Sequence, residues 1–528
     1  MEIIKSGSKG ELQFMKIKNP ILSGFYPDPS ICKDDEYFYL VTSTFTYFPG
    51  VPIFRSKDLS NWEQIGNVLD RKSQLDLSNT RHSEGIFAPT IRYNDGTYYM
   101  ITTNITHGGN FIVTSKDPAG PWSDPNFLEG AQGIDPSLFF DNDGKVYYVG
   151  TRPNQQGVRY NGDWEVWTQE LDLNSMKLVG ESHKIWKGAL KNVIWPEGPH
   201  IYKKGNYYYL MIAEGGTGPD HCITVARSTS VFGEYVGNPK NPIITHRHLG
   251  NKYPIQHVGH GDLISTQDNK WFIIMLASRK FNGYCNIGRE TFLATVDWEE
   301  DWPIINYGVG ILQEEQEVDL CEYPVERKTN SYHFYKEQLE KEWLFLKNPS
   351  ENLYSLKERE GALRLYLKEQ TLSDLDNPAY IALRQKSYNY IASTAMDFTP
   401  NSQNECAGIA VVQSNEYYMT YEYTKKEEKY VLRIIEKNKE KSIILNEVEI
   451  KNKRLYLKIQ CKDSLLTFYY GYDGINYEVL QRDVDTRNLS TEVAGGFVGC
   501  TLGMYGSSNR YKSNNYADFL CFEYQDIK

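Results

Sequence analysis

One unit of sequence recurs five times before residue 280, and it narrows the fold more than any other feature of the chain. Each unit opens on a short segment rich in small residues: YPDPSI from Tyr26, FAPTIRY from Phe87, IDPSLFF from Ile134, PEGPHIY from Pro196 and GHGDLIS from Gly259. A polar turn and an aromatic strand follow each time: DEYFYLVTSTF, DGTYYMITTN, DGKVYYVGTR, KGNYYYLMIAEGG and DNKWFIIMLASR. Three of the five run on into a related tail, FRSKDLSNW, VTSKDPAGPW and ARSTSVFGEY. Turns of the X-D-G-X kind occur in any β protein. A hairpin alone does not explain a shared opening, strand and tail in one order. Aligning the openings puts Asp28, Ala88, Asp135, Gly198 and Gly261 in register, at spacings of 60, 47, 63 and 63 residues. That length suits one four-stranded sheet per unit. Such a sheet cannot bury both faces alone, so radial stacking into a five-bladed β-propeller is the expected solution.

The repeat stops near residue 320. The polar segment EYPVERKTNSYHFYKEQLEKEW reads as a linker and a new start. Strands of a different kind follow, among them GALRLYL, CAGIAVVQ, YYMTYEYT, KYVLRIIE, LLTFYYGYDG and FLCFEY. About ten such strands over the last ~195 residues predict a β-sandwich with a lectin-like look. The expected organisation is all-β: an N-terminal extension at 1–18, a five-bladed propeller at 19–320, a linker at 321–332 and a concanavalin-like β-sandwich at 333–528. Residues before Met15 read as dispensable to that fold.

Composition supports the class and excludes others. The 40 tyrosines and 14% aromatic content fit β-strands, and also fit the walls of a polar-ligand site. Lys+Arg 57 against Asp+Glu 68 gives a net charge of −11, which argues against nucleic acid and anionic membrane as partners. No apolar run approaches the roughly 18 residues that span a bilayer. The first residues lack the pattern of a signal peptide. The eight cysteines are dispersed without a CxxC pair, which suits a reducing, cytoplasmic location. The pair His246-x-His248 lacks convergent partners, so no metal ligand set is expected.

In a propeller the first strand of each blade lines the central channel, so the five openings should converge on one mouth. Asp28, Asp135 and Glu197 would then share it, while Asp35, Asp95 and Asp143 read as turn residues. Mutual repulsion and partial burial raise the pKa of at least one carboxylate in such a group. Glycoside hydrolysis needs this asymmetry: one protonated acid for the leaving oxygen, and one ionised base or nucleophile.

The segments NPILSGFYPDPSI, STFTYFPGVPIFRSKDLSNW, GIDPSLFFD, WPEGPHIY, AEGG and IGRETFLATVDW resemble glycoside hydrolase family 43. Within it the chain is similar to β-xylosidases that carry a C-terminal β-sandwich. The resemblance implies Asp28 as general base, Glu197 as general acid and Asp135 as the residue that tunes and orients the acid. It implies inversion, with base and acid roughly 6.5–9.5 Å apart to admit a water. It implies Arg289 and His260 as substrate-contacting residues, and Phe45 and Phe87 as aromatic walls. For Phe45, core packing is an equal alternative. For Arg289 the alternative is a structural ion pair, and for His260 a hydrogen-bonded channel residue. Phe87 stands where the family's xylosidases carry Trp, which opens the sugar preference. The segment Gly495–Asn509 resembles a sandwich loop that closes the pocket into a cul-de-sac.

The implied activity is exo-acting release of xylose from β-1,4-xylo-oligosaccharides. A dedicated or additional α-L-arabinofuranosidase activity is the alternative, and a non-catalytic carbohydrate-binding protein a further one. The expected partner is a xylo-oligosaccharide or an arabinose-substituted oligosaccharide. No cofactor is required by this reading. The resemblance leaves room for a calcium ion in the propeller channel and for a homo-oligomer.

Overall fold

The computed structural model describes residues 15–326, 331–451 and 453–527. Five four-strand paths form the propeller, each built in chain order from the channel outward. Blade one uses Ser30–Lys33, Phe38–Val41, Gly50–Ser56 and Glu63–Leu69. Blade two uses Thr90–Asn94, Thr97–Asn104, Gly109–Ser115 and Asn126–Phe127. Blade three uses Ile134–Phe140, Val146–Pro153, Trp164–Asp172 and Lys177–Trp186. Blade four uses Glu197–Lys204, Tyr207–Glu214, Cys222–Ser228 and Val236–Gly237, and Ile244–Thr245 also pairs with Cys222–Ser228. Blade five uses Ile255–Ser265, Trp271–Arg279, Arg289–Glu299 and Trp302–Ile305. Each first strand touches the next, and the fifth touches the first, so the ring is closed.

Alternation explains the aromatic strands. In Tyr207–Glu214 the side chains pack on both faces of a blade, and Tyr209, Leu210, Met211 and Ile212 are all nearly inaccessible. This is how blades that cannot bury themselves share their apolar area. Met15–Lys18 pairs antiparallel with Glu315–Val318, Met15 opposite Val318. Part of the expected N-terminal extension is therefore a strand, with Met15 and Ile17 buried. The side chain of Asn19 then bonds Leu293 O and Gln313 O, both at 2.9 Å, fastening the entry of the chain to blade five.

Deep in the channel, Asp262 is wholly buried and ties four blades together. It accepts Ser30 Oγ at 2.7 Å, Arg92 Nη1 at 2.7 Å and Tyr202 OH at 2.6 Å. A buried ion pair of this kind is costly to break from one side, by about 3–5 kcal/mol.

The second unit packs two sheets face to face. One runs in the order Tyr354–Ser355, Leu363–Tyr366, Tyr516–Asp526, Tyr390–Asp397, Arg454–Lys462, Leu465–Gly471 and Tyr477–Asp485. Ser331–Tyr332 also pairs with Tyr516–Asp526, so sandwich structure already begins inside the segment expected to be a linker. The other runs Lys441–Ile450, Lys429–Asn438, Tyr417–Lys426, Cys406–Val412, Thr501–Ser507, Ala379–Arg384 and Leu344–Leu346. Its last strand is not from the sandwich. Tyr47–Phe48, from the loop inside blade one, pairs with Leu344–Leu346, Phe48 opposite Phe345. One apolar cluster accordingly runs from Val41, Phe48 and Ile53 through Phe345 to Ile381 and Leu457. The two units share a core.

Candidate active site

Backbone geometry aims the site. Asp28, Asp135, Gly198 and His260 all have left-handed backbones, at φ 54°, 53°, 57° and 44°. In blades three, four and five the strand register shifts at the same place, between Ile134 and Ser137, between Glu197 and His200, and on both sides of Gly259. Such a bulge bends the strand and re-aims its side chains. It also corrects the alignment of the fifth opening. His260, rather than Gly261, occupies the position of Asp28 and Asp135, because matching glycine to glycine slipped that unit by one residue. At this position blade four has Gly198, and a Cβ there would lie 2.8 Å from the His260 ring. Glycine is therefore required, and the carboxyl of blade four, Glu197, comes from the residue before it.

The structure brings all seven expected residues into one pocket: Asp28, Asp135, Glu197, His260, Arg289, Phe45 and Phe87. Asp28 Oδ1 accepts Arg289 Nη1 at 2.8 Å, and Oδ2 accepts Ser43 Oγ at 2.6 Å. His260 Nδ1 lies 3.9 Å from Oδ1. Burial pushes the Asp28 pKa up, but the charges of Arg289 and His260 and the Ser43 bond outweigh it, so the carboxyl stays below its ordinary value.

The other two carboxyls go the opposite way. Burial, with the charge of Asp28, raises Asp135 despite the opposing charge of His260 and a Gly198 N–H bond at 3.2 Å. Glu197 is raised well above the carboxylate range, first by burial and then by the charges of Asp135 and Asp28. Its carboxyl has no hydrogen-bond partner among the described residues. The pocket thus holds one carboxyl biased toward its ionised form, Asp28, and two biased the other way, Glu197 further than Asp135.

Aromatic rings form one wall. Phe45 and Phe87 meet edge to face at 5.7 Å. Phe45 is buried and lines the pocket at once, so core packing and pocket wall are both true of it. Arg289 is both an ion pair and a pocket residue, for the same reason of position.

A third ring, Phe497, comes from the sandwich. It stacks on Phe45 at 6.0 Å and meets Phe87 edge to face at 6.1 Å. The Arg289 guanidinium lies 5.5 Å from its centroid. The segment that delivers it lies on Cys285–Arg289, where Cys500 N–H donates to Asn286 O at 2.7 Å. A Cβ on Gly499 would fall 1.9 Å from Ile287 O, so the crossing needs glycine there. This is the loop the sequence pointed to, although not the residue. Trp195 and Thr217 also line the pocket and escaped the sequence reading. Trp195 lay within a quoted motif, WPEGPH, and had no repeat partner to single it out.

The cavity measures about 210 Å³, small for a ligand pocket. Calcium takes six to eight oxygen ligands. The wholly buried carboxylate of Asp262 is already occupied by Ser30, Arg92 and Tyr202. No group of three or more His, Cys, Asp or Glu side chains able to hold a metal occurs among the described residues. The side chains present do not by themselves fit a calcium ion, and no chemistry is routed through one.

Known proteins place this geometry. Residues 17–303 match the family described as Glycosyl hydrolases family 43, and residues 331–525 match the Beta xylosidase C-terminal Concanavalin A-like domain. A Butyrivibrio fibrisolvens protein named "Xylosidase/arabinosidase" is 51% identical over 515 residues, 96% of this chain and 99% of that protein. A Bacteroides ovatus protein named "Non-reducing end alpha-L-arabinofuranosidase BoGH43B" is 37% identical over 96% of this chain and 94% of its own length. The crystal structure of a xylan beta-1,4-xylosidase from Bacillus halodurans C-125 superposes with a TM-score of 0.91 at 34% identity, covering 97% of this chain and 100% of that one. The chain belongs to glycoside hydrolase family 43 and is a glycosidase built as a five-bladed propeller with a concanavalin-like sandwich.

Proposed function

We propose that this glycosidase releases xylose from the nonreducing ends of β-1,4-xylo-oligosaccharides, with inversion at the anomeric carbon. The observation that carries the reading is the opposed state of two carboxyls in one pocket, Asp28 held ionised by Arg289 and Glu197 biased toward protonation. Asp28 acts as the base that takes a proton from the attacking water. Glu197 protonates the departing glycosidic oxygen. Asp135, bonded to the backbone N–H beside Glu197, keeps that acid protonated and in place. Arg289 and His260 grip hydroxyls in the buried part of the pocket, and Phe45, Phe87 and Phe497 wall the apolar face of the sugar. The small volume of the cavity, about 210 Å³, supports exo action over binding along a chain.

α-L-Arabinofuranosidase activity is the second reading. Relatives carry both arabinosidase and alpha-L-arabinofuranosidase in their names, and the phenyl ring of Phe87 makes a wall smaller than an indole. Steady-state kinetics on p-nitrophenyl β-D-xylopyranoside and α-L-arabinofuranoside separate the two. A large kcat/KM advantage for the arabinoside would overturn the first. NMR of the first-formed product tests inversion, and a retained anomer would overturn it. All eight cysteines are free and six are buried, which supports a reducing, cytoplasmic setting.

A further inference from the structure

We propose that Trp195 receives the leaving sugar, so that its indole sets preference for what is attached to the released residue. This rests on the reading of Glu197 as the acid. The buried part of the pocket lining is made by Asp28, Phe45, Ala88, Asp135, His260 and Arg289, each less than a tenth exposed, while Glu197 and Trp195 are more exposed. A nonreducing-end sugar fills that part, and Glu197 must reach the oxygen on its far side. The next sugar therefore lies outward from Glu197, on the wall its own chain segment makes.

Trp195 is that wall. It lines the pocket two residues before Glu197 and is only half-buried. The Nε1–Cδ1 edge of its ring lies against two glycines, Gly162 and Gly216. A Cβ on Gly162 would meet its Nε1 at 3.1 Å, and one on Gly216 would meet its Cδ1 at 3.2 Å. The indole N–H has no hydrogen-bond partner among the described residues. An apolar plate with a free donor is what a sugar ring with hydroxyls on its rim can use.

The backbone is arranged to hold this ring. Trp195 has φ 52°, a genuine outlier for a bulky residue. Its N–H donates to Gly162 O at 2.9 Å, and Gly215 N–H donates to Ile194 O at 3.0 Å. Trp164 packs on the indole at 5.2 Å, and Tyr160 OH donates to Val193 O at 2.8 Å. Strain held by several contacts at a pocket edge is the pattern of a functional position rather than of a core filler.

The test compares two substrates on the full-length enzyme. Xylobiose places a sugar in the leaving position, and β-D-xylosyl fluoride leaves it empty. Trp195→Ala should lower kcat/KM on xylobiose by about tenfold or more while changing the fluoride by less than about twofold. Trp195→Phe, which keeps a ring and loses the donor, should fall between. Equal losses on both substrates, or no loss on xylobiose, would overturn the assignment. Wild-type enzyme inert on both substrates would instead overturn the xylosidase reading beneath it.

Discussion

Arg289 donates to Asp28 at 2.8 Å although 261 residues separate them, and this bond joins the last blade of the propeller to the first. Its cost and its value are both electrostatic. Asp28 is buried, so without a cation its carboxylate would be driven toward the neutral form. The sign is that of a depressed acid: its ionised form contributes stability above the unfolded pKa, and that contribution is lost as pH falls through the folded pKa. Arg289→Gln should therefore move the acid limb of the kcat/KM profile to higher pH. It should also cut neutral-pH activity by about two orders of magnitude or more. A pH profile with an unmoved acid limb would show that Arg289 only binds substrate.

The alkaline limb answers to a different pair. Glu197 is raised by burial and then by the charge of Asp135, so activity should persist until pH climbs through that raised value. Asp135→Asn removes the repulsion, and the alkaline limb should move to lower pH. Glu197→Gln should lower kcat by about 10²–10⁴-fold on xylobiose and much less on the p-nitrophenyl glycoside, whose leaving group needs little protonation. An alkaline limb that stayed put in Asp135→Asn would remove that residue from the role of tuning the acid.

The sequence made the blades legible because each repeats a long pattern, and the carboxylates legible because Asp28 and Asp135 fall at one position of it and Glu197 falls one residue before that position. What it hid was set by neighbours. The strand Tyr47–Phe48 is two residues long and pairs with Leu344–Leu346, almost 300 positions away, so no local pattern announces it. The same holds for Ser331–Tyr332 and Tyr354–Ser355, which short-range alternation cannot mark. Bulges defeat alignment by one residue, as at His260. Phe497 reaches the pocket only because glycine at 499 lets two backbones touch, a close approach that a run of small residues suggests but does not locate.

Lys347 shows the other side of the domain contact. It projects from the sandwich into the propeller, donates to Thr46 Oγ1 and to Thr80 O, and is almost wholly buried. Burial pulls its pKa down to about 7. Between that value and its unfolded pKa of about 10.4 the unfolded chain binds the extra proton, so stability contributed by this site rises with pH over that window. Lys347→Met removes the buried amine and with it this slope. The Tm of the variant relative to wild type should be higher at pH 6 than at pH 9. A constant difference across that range would mean the lysine is not desolvated in the folded protein.

The sandwich is a wall of the active site rather than an appendage, and two changes separate its structural and chemical parts. A chain ending at residue 326 strips the partner from Tyr47–Phe48 and opens the cluster that joins Val41 and Ile53 to Phe345 and Ile381. Newly exposed apolar area at about 25 cal/mol per Å² weighs against so marginal a balance, and the truncated propeller should aggregate or lose its cooperative transition. Phe497→Ala leaves that core alone, because the ring is about one-third exposed. It removes only the stack on Phe45 and the ring beside Arg289. This variant should stay soluble with a Tm within a few degrees of wild type, while kcat/KM falls about tenfold through a weaker grip on the nonreducing-end sugar. A soluble, fully active propeller without residues beyond 326 would defeat both halves of the argument, since it would need neither the shared core nor the third phenyl ring.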